Sequence, residues 1–151
     1  MKLTGARTLR ATPEAIWDFL LTPERLRACL PGCERLTATT PTRFDGAMRL
    51  GIGFLKGTYT GTIEVTEQQR PTQLGLRVTG GGALGKVDAR GTVRFVDTGG
   101  GATYLLYDGE ATVSGRVALV GERVIEATAT RLFGLFFDCV GSHVEAVDSE
   151  R

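Results

Sequence analysis

From Leu36 to Val113 the apolar residues recur at every second position. Phe44, Met48, Leu50 and Ile52 alternate with polar or small residues, and Tyr59, Ile63 and Val65 alternate with Thr58, Thr60, Thr62 and Glu64. Leu74, Leu76 and Val78 follow, then Val87, Ala89, Val93 and Phe95, and finally Leu105, Tyr107, Ala111 and Val113. A period of two puts each set on one face of a strand. Turn-forming clusters separate the sets: Thr40-Pro41-Thr42, Arg70-Pro71-Thr72, Gly80-Gly81-Gly82 and Asp97 through Gly101. Connections this short, with no helical period between strands, predict an antiparallel sheet covered on one face.

The pattern changes at both ends. Residues 2–11 alternate loosely and read as a strand. Thr12-Pro13-Glu14 then carries a helix start, with Thr as N-cap, Pro at the first helical position and Glu facing the positive end of the dipole. Ile16, Trp17, Leu20 and Leu21 supply its apolar face, Thr22-Pro23-Glu24 repeats the start signal, and Pro31-Gly32 ends the second short helix. After Ser114-Gly115, Val117, Val120, Val124, Ile125, Leu132, Leu135, Phe136, Cys139 and Val140 recur at helical spacing. Glu122, Arg123, Glu126, Arg131 and Asp138 fall largely elsewhere on that helix. Gly121 and Gly134 lie within the run. A helical glycine costs about 1 kcal/mol relative to Ala, so each points either to close approach of another group or to simple tolerance. The fold class is therefore α+β: one strand, two short helices, about six further strands, and one long helix. The long helix must cover the open apolar face of the sheet. A curved sheet wrapped on a helix does not fill its middle evenly, so a cavity between them is expected.

Composition narrows the class. The 151 residues, 42% hydrophobic and 23% charged, suit one soluble domain spanning 1–151 that buries a core without staples. A net charge of +1 gives no global attraction to nucleic acid or anionic lipid, and no nucleic-acid partner is expected. The 21 glycines are not periodic, and they suit the bends and bulges of a strongly curved sheet. Met1 to Arg10 lacks the apolar stretch of a signal peptide, and no apolar run is long enough to span a bilayer. The default location is the cytoplasm, at most peripheral to the inner face of the membrane. Three cysteines, an odd number, fit a reducing compartment better than a disulfide framework.

Four segments in this order resemble one family: TPEAIWDFLLTPERLRACLPGCERL, GIGFLKGTYTGTIEVTE, GGGALGKVDARGTVRF and DGEATVSGRVALVGERVIEATATRLFGLFFDCV. Together they cover most of the chain, with LPGCE and KGTYTG the most diagnostic. The chain resembles the family of the carbon monoxide dehydrogenase G subunit, within the START-like (SRPBCC) superfamily of helix-grip folds. The resemblance implies a small non-enzymatic accessory protein that assists a molybdenum hydroxylase, such as carbon monoxide dehydrogenase, in its association with the membrane or its electron acceptor. It also implies an interior suited to a lipophilic small molecule, with a quinone or a lipid as natural candidates. Many members carry a long C-terminal extension. The sequence runs to Arg151, soon after Val140, so a membrane-anchoring role carried by such an extension is not expected of it.

Strand parity and helix face name the residues expected to line the cavity. From the sheet side these are Met48, Ile52, Phe54, Tyr59, Leu76, Val78, Leu84, Val87 and Tyr107; from the helix they are Val124, Ile125, Thr128, Leu132 and Phe136. Tyr59, Tyr107 and Thr128 could orient a carbonyl or hydroxyl in an otherwise apolar site. Both tyrosines could equally be core aromatics with their hydroxyls reaching the surface. No catalytic constellation stands out. There is one histidine, and Asp45, Asp88, Asp108 and Glu110 point outward by parity. A polyketide cyclase or aromatase-like enzyme of the same fold, or a cavity-free interaction module, are the alternatives.

Three further patterns carry weaker signals. GGGALGK at 80–86 matches the start of a phosphate-binding loop, but Val87 stands where Ser or Thr should be and a strand follows, so a glycine-rich hairpin is expected. Cys29, Cys33, Cys139 and His143 have spacings compatible with a structural zinc site, yet cysteine is also a common buried hydrophobe. Buried or free thiols are the expectation, with no metal and no cofactor assigned. Arg25, Arg27, Arg35 and Lys56 could form a docking surface, but Glu24 and Glu34 dilute them and a solvated surface is expected.

Overall fold

The computed structural model describes residues 1–51 and 53–149. Strands β1 (Lys2–Leu9), β2 (Cys33–Thr40), β3 (Arg43–Leu50), β4 (Gly57–Gln69), β5 (Gln73–Gly82), β6 (Gly85–Gly99) and β7 (Ala102–Ser114) form one curved sheet. Its order is β1-β7-β6-β5-β4-β3-β2, antiparallel throughout. Helices α1 (Pro13–Leu20) and α2 (Pro23–Cys29) lie between β1 and β2, and α3 (Glu122–Ser149) closes the chain. The expected α+β helix-grip architecture is the one observed, with the GGGALGK segment forming the β5–β6 hairpin.

The two Thr-Pro-Glu starts do not work alike. Thr12 caps α1 by accepting a hydrogen bond from the Ala15 amide at 3.2 Å. Thr22 makes no side-chain cap, because its hydroxyl donates to the Asp18 carbonyl of the preceding helix at 2.6 Å. Gly32, which ends the α2 segment, has φ +67°, and a Cβ there would overlap the Arg49 carbonyl oxygen. Only glycine meets both conditions.

The last helix departs from the expected single run. Arg116–Val120 forms a 3-10 helix, Gly121 breaks the chain at φ +94°, and α3 begins at Glu122. Gly121 is therefore a helix boundary. Gly134 is helical, but a Cβ there would meet open space, so the tolerance reading holds. The helix runs past Gly141 and through Val147 to Ser149. Its buried stripe also differs in phase from the expected one. Val117 and Val140 are buried as expected, but Phe137 and Val144 are buried with them, whereas Val120, Val124 and Leu135 are exposed.

The interior is uneven along the helix. At one end α1, α2 and the C-terminal half of α3 close over the sheet. Leu9, Ile16, Trp17, Phe19, Leu74, Phe95, Leu105, Phe137, Val140 and Val144 are fully packed there. Along β1, α3 is held by Arg7, which pairs with Asp138, and by Leu9, which lies against Gly141. Val65, Leu76 and Val93 pack half-buried against that core, and Ile63, Val87 and Val113 on the same face are half-buried as well.

Candidate functional site

The half-covered end is where the expected lining falls. Met48, Phe54, Tyr59, Leu76, Leu84 and Val87 are half-buried on the sheet side, as are Ile125, Thr128, Leu132 and Phe136 on the helix. Val78 and Val124 are exposed, at 37% and 43%, and so stand at the margin of this region instead of inside it. Ile52 lies outside the described residues. Leu76, Tyr107 and Phe136 pack against the core of the closed end.

Tyr107 occupies the side of this region next to β1. Its ring stacks on Phe137 at 5.6 Å between centroids and meets Phe133 edge-on at 5.2 Å. It also lies over Gly5, where a Cβ would overlap the phenol. A cleft of about 170 Å³ opens here, lined by Lys2, Leu3, Thr4, Tyr107, Glu126, Thr130 and Phe133. Burial pushes the Tyr107 phenol above its ordinary pKa, and the nearby Arg7 charge opposes that shift.

The three polar candidates differ in availability. The Tyr59 hydroxyl donates to the Leu55 carbonyl at 2.9 Å, tying β4 to the 3-10 helix Gly53–Leu55, and burial raises its pKa as well. The Thr128 hydroxyl donates to the Val124 carbonyl within its own helix at 2.8 Å. Among the described residues the Tyr107 hydroxyl has no hydrogen-bond partner and remains open to a ligand oxygen.

Sequence reasoning missed Phe133, Phe137 and Arg7. The two phenylalanines follow from setting the helical stripe one position differently, with Phe133, Phe137, Val140 and Val144 at four-, three- and four-residue steps. Arg7 faces inward on β1, pairs with Asp138 and reaches the Gly134 carbonyl at 3.5 Å. Strand parity allowed its inward position, but nothing in the sequence named Asp138 as its partner. Asp88, Asp108 and Glu110 are exposed, and Arg77 holds the Asp88 carboxyl below the usual carboxylate range. Asp45 is half-buried and accepts a hydrogen bond from Thr62 at 2.8 Å.

A second depression, about 420 Å³, lies on the outside of α2 and β2. It is lined by Glu24, Arg27, Ala28, Leu30, Gly32 and Cys33 and includes none of the expected lining. The arginines beside it are engaged locally. Arg25 lies 4.9 Å over the Phe19 ring, and Arg27 donates to the Glu34 carbonyl at 2.8 Å.

The expectation of free thiols is overturned at two positions. Cys29 and Cys139, with Cα atoms 5.4 Å apart, form a disulfide joining α2 to α3. The odd cysteine count concealed this, because Cys33 alone is left over. His143 joins the pair, whereas Cys33 lies apart, its thiol on the Arg35 carbonyl at 3.3 Å. Among the described residues no helix is long and apolar enough to cross a membrane.

Residues 5–145 match the family described as the G subunit of carbon monoxide dehydrogenase (CoxG). No curated protein matches the chain in sequence. Among solved structures, a conserved protein from Geobacillus kaustophilus is 30% identical, with a TM-score of 0.93 over 97% of this chain and 96% of that one. A START superfamily protein from Mycobacterium smegmatis superposes with a TM-score of 0.78 at 12% identity, covering 97% and 98% of the two chains. Truncated norcoclaurine synthase from Thalictrum flavum does so at 0.67 and 18% identity, covering 95% and 92%. The last two likenesses establish the fold alone.

Proposed function

Because the chain belongs to the CoxG family of carbon monoxide dehydrogenase, we propose that it is a non-enzymatic accessory protein that carries a lipophilic molecule, a quinone or lipid, between its sheet and α3. Its partner in this reading is a molybdenum hydroxylase of the carbon monoxide dehydrogenase kind. The observation that carries the reading is the half-buried apolar lining at one end of an otherwise packed interior. An apolar ligand gains about 25 cal/mol for each Å² of such surface it covers. Tyr107 supplies the polar contact that would fix the orientation of a ring carbonyl.

The 170 Å³ cleft is smaller than the 300–1,000 Å³ typical of ligand sites. Loading therefore requires the N-terminal half of α3 to move away from the sheet. The 3-10 helix before α3 is fixed to the β5–β6 hairpin through Val117, whose amide donates to the Leu84 carbonyl, so the bend would fall at Gly121, which has φ +94° and open space around it. The same end presents Leu119, 85% exposed, beside exposed Val120, Val124, Arg116 and Arg123, with exposed Glu122 offsetting one of the two arginines. An apolar tip with cationic flanks suits transient contact with an anionic bilayer. That supports peripheral membrane contact at the mouth through which a lipophilic cargo would pass.

Norcoclaurine synthase shares the fold, but its likeness says nothing of chemistry here. The ionisable groups of the cleft are Lys2, Glu126 and Tyr107; Lys2 is exposed and the other two half-buried, so an enzymatic reading has no enclosed acid–base pair among them to build on. The carrier reading is tested by native mass spectrometry of the purified protein, with organic extraction of what accompanies it. A quinone or lipid should be bound, and Leu132→Glu or Phe136→Glu should lose it. A protein that arrives without cargo and takes up neither added quinones nor lipids refutes the carrier.

A further inference from the structure

The cluster at the closed end of the molecule plays no part in the ligand cleft. Cys29 is the last residue of α2 and is 4% exposed. Cys139 and His143 sit one turn apart on α3. His143 Nδ1 lies 3.8 Å from the Cys29 sulfur and 3.8 Å from the Cys139 sulfur. A disulfide needs no imidazole equidistant from its two sulfurs. A tetrahedral Zn²⁺ held by two thiolates and one imidazole, with Zn–S near 2.3 Å and Zn–N near 2.0–2.1 Å, sets sulfur and nitrogen about 3.6 Å apart and the two sulfurs about 3.8 Å apart. The imidazole is within a few tenths of an ångström of that spacing to both sulfurs, and the Phe19 ring flanks it at 5.5 Å. The two sulfurs have to separate, and Nδ1 has to release the Cys139 carbonyl.

We propose that Cys29, Cys139 and His143 form a Zn²⁺ site whenever the disulfide is reduced. Two molecules of a low-molecular-weight thiol reduce the bond by exchange. They leave as their own disulfide, and their two electrons and two protons go to Cys29 and Cys139. Zn²⁺ then displaces both thiol protons to solvent and is held by two thiolates. In the bridged state His143 Nδ1 is 2.9 Å from the Cys139 carbonyl oxygen and donates its proton there. On metal binding the ring takes the other neutral tautomer, with the proton on Nε2, and Nδ1 becomes the third ligand. His143 is exposed and Cys139 half-buried, so solvent reaches the fourth position. The connection between α2 and α3 is thus covalent under oxidising conditions and coordinate under reducing ones.

The test uses the full chain, reduced anaerobically with a phosphine and titrated with Co²⁺ as a spectroscopic stand-in for Zn²⁺. One equivalent should bind with thiolate-to-metal charge-transfer and tetrahedral d–d bands, and the oxidised protein should show neither. Loss of an outer partner to a metal ligand costs about 10–100-fold in affinity, so His143→Ala should cost no less. Cys33→Ser should bind as wild type. Absence of tetrahedral bands in the reduced protein, or undiminished binding by His143→Ala, overturns the site. A readout that needs no variant is alkylation of reduced wild-type protein with and without Zn²⁺. Protection of Cys29 and Cys139 but not Cys33 supports the site, and equal labelling of all three refutes it.

Discussion

Leucine-to-alanine truncation at two positions facing the same interior tests whether the space beneath α3 exists in solution. Leu105 is fully buried at the closed end, whereas Leu132 is half-buried on α3. Leu105→Ala removes packed atoms and leaves a cavity that its neighbours cannot collapse into, at a cost of about 2–5 kcal/mol. In a chain of this length, where 1 kcal/mol shifts Tm by about 2–4 °C, the expected loss is about 4–20 °C. Leu132→Ala gives up only part of a leucine's transfer energy and creates no new enclosed void. Half of the 1.5–3 kcal/mol for full burial is about 1 kcal/mol. Urea unfolding of the ligand-free proteins measures both, with an unchanged m-value required for the comparison. If Leu132→Ala costs as much as Leu105→Ala, α3 packs on the sheet along its whole length and no space is available for a ligand.

Tyr107→Phe should weaken quinone binding by roughly fivefold, the worth of one neutral hydrogen bond, with little change in unfolding midpoint; fluorescence titration measures it, and unchanged affinity removes Tyr107 from the site. Burial raises the pKa of both Tyr59 and Tyr107. The unfolded chain therefore ionises first as pH rises past the ordinary tyrosine value of about 10. The stability these groups contribute is complete below that pH and is lost as pH climbs toward their raised values. Denaturant midpoints measured across this range should fall less steeply in the double variant Tyr59→Phe/Tyr107→Phe, and identical slopes would contradict the burial. Gly32→Ala should destabilise by more than about 1 kcal/mol, through the positive φ and the overlap with the Arg49 carbonyl oxygen; a neutral result in thermal unfolding would show that the turn relaxes. Leu119→Glu should reduce co-sedimentation with vesicles containing phosphatidylserine several-fold without changing Tm, and undiminished vesicle binding would rule out this tip as the membrane contact.

Period and punctuation in the sequence determined the elements themselves. Alternation from Phe44 to Val113 corresponds to strands, and Thr12-Pro13 starts a helix where it should. Local chemistry suffices for these features because dihedral preference and side-chain direction act over a few residues. The distance between surfaces is not local. Period says that Leu105 and Leu132 both face inward, but only the tertiary structure makes one core and leaves the other half-exposed. The bulk of α1 and α2 fills one end alone. Helical period likewise did not select between adjacent stripes on α3, and contact with Tyr107 decided for Phe133 and Phe137. The meeting of Cys29 with Cys139 and His143 spans more than a hundred residues of chain. Spacing within α3 placed two of these residues on one face, and the packing of α2 across that helix supplied the third.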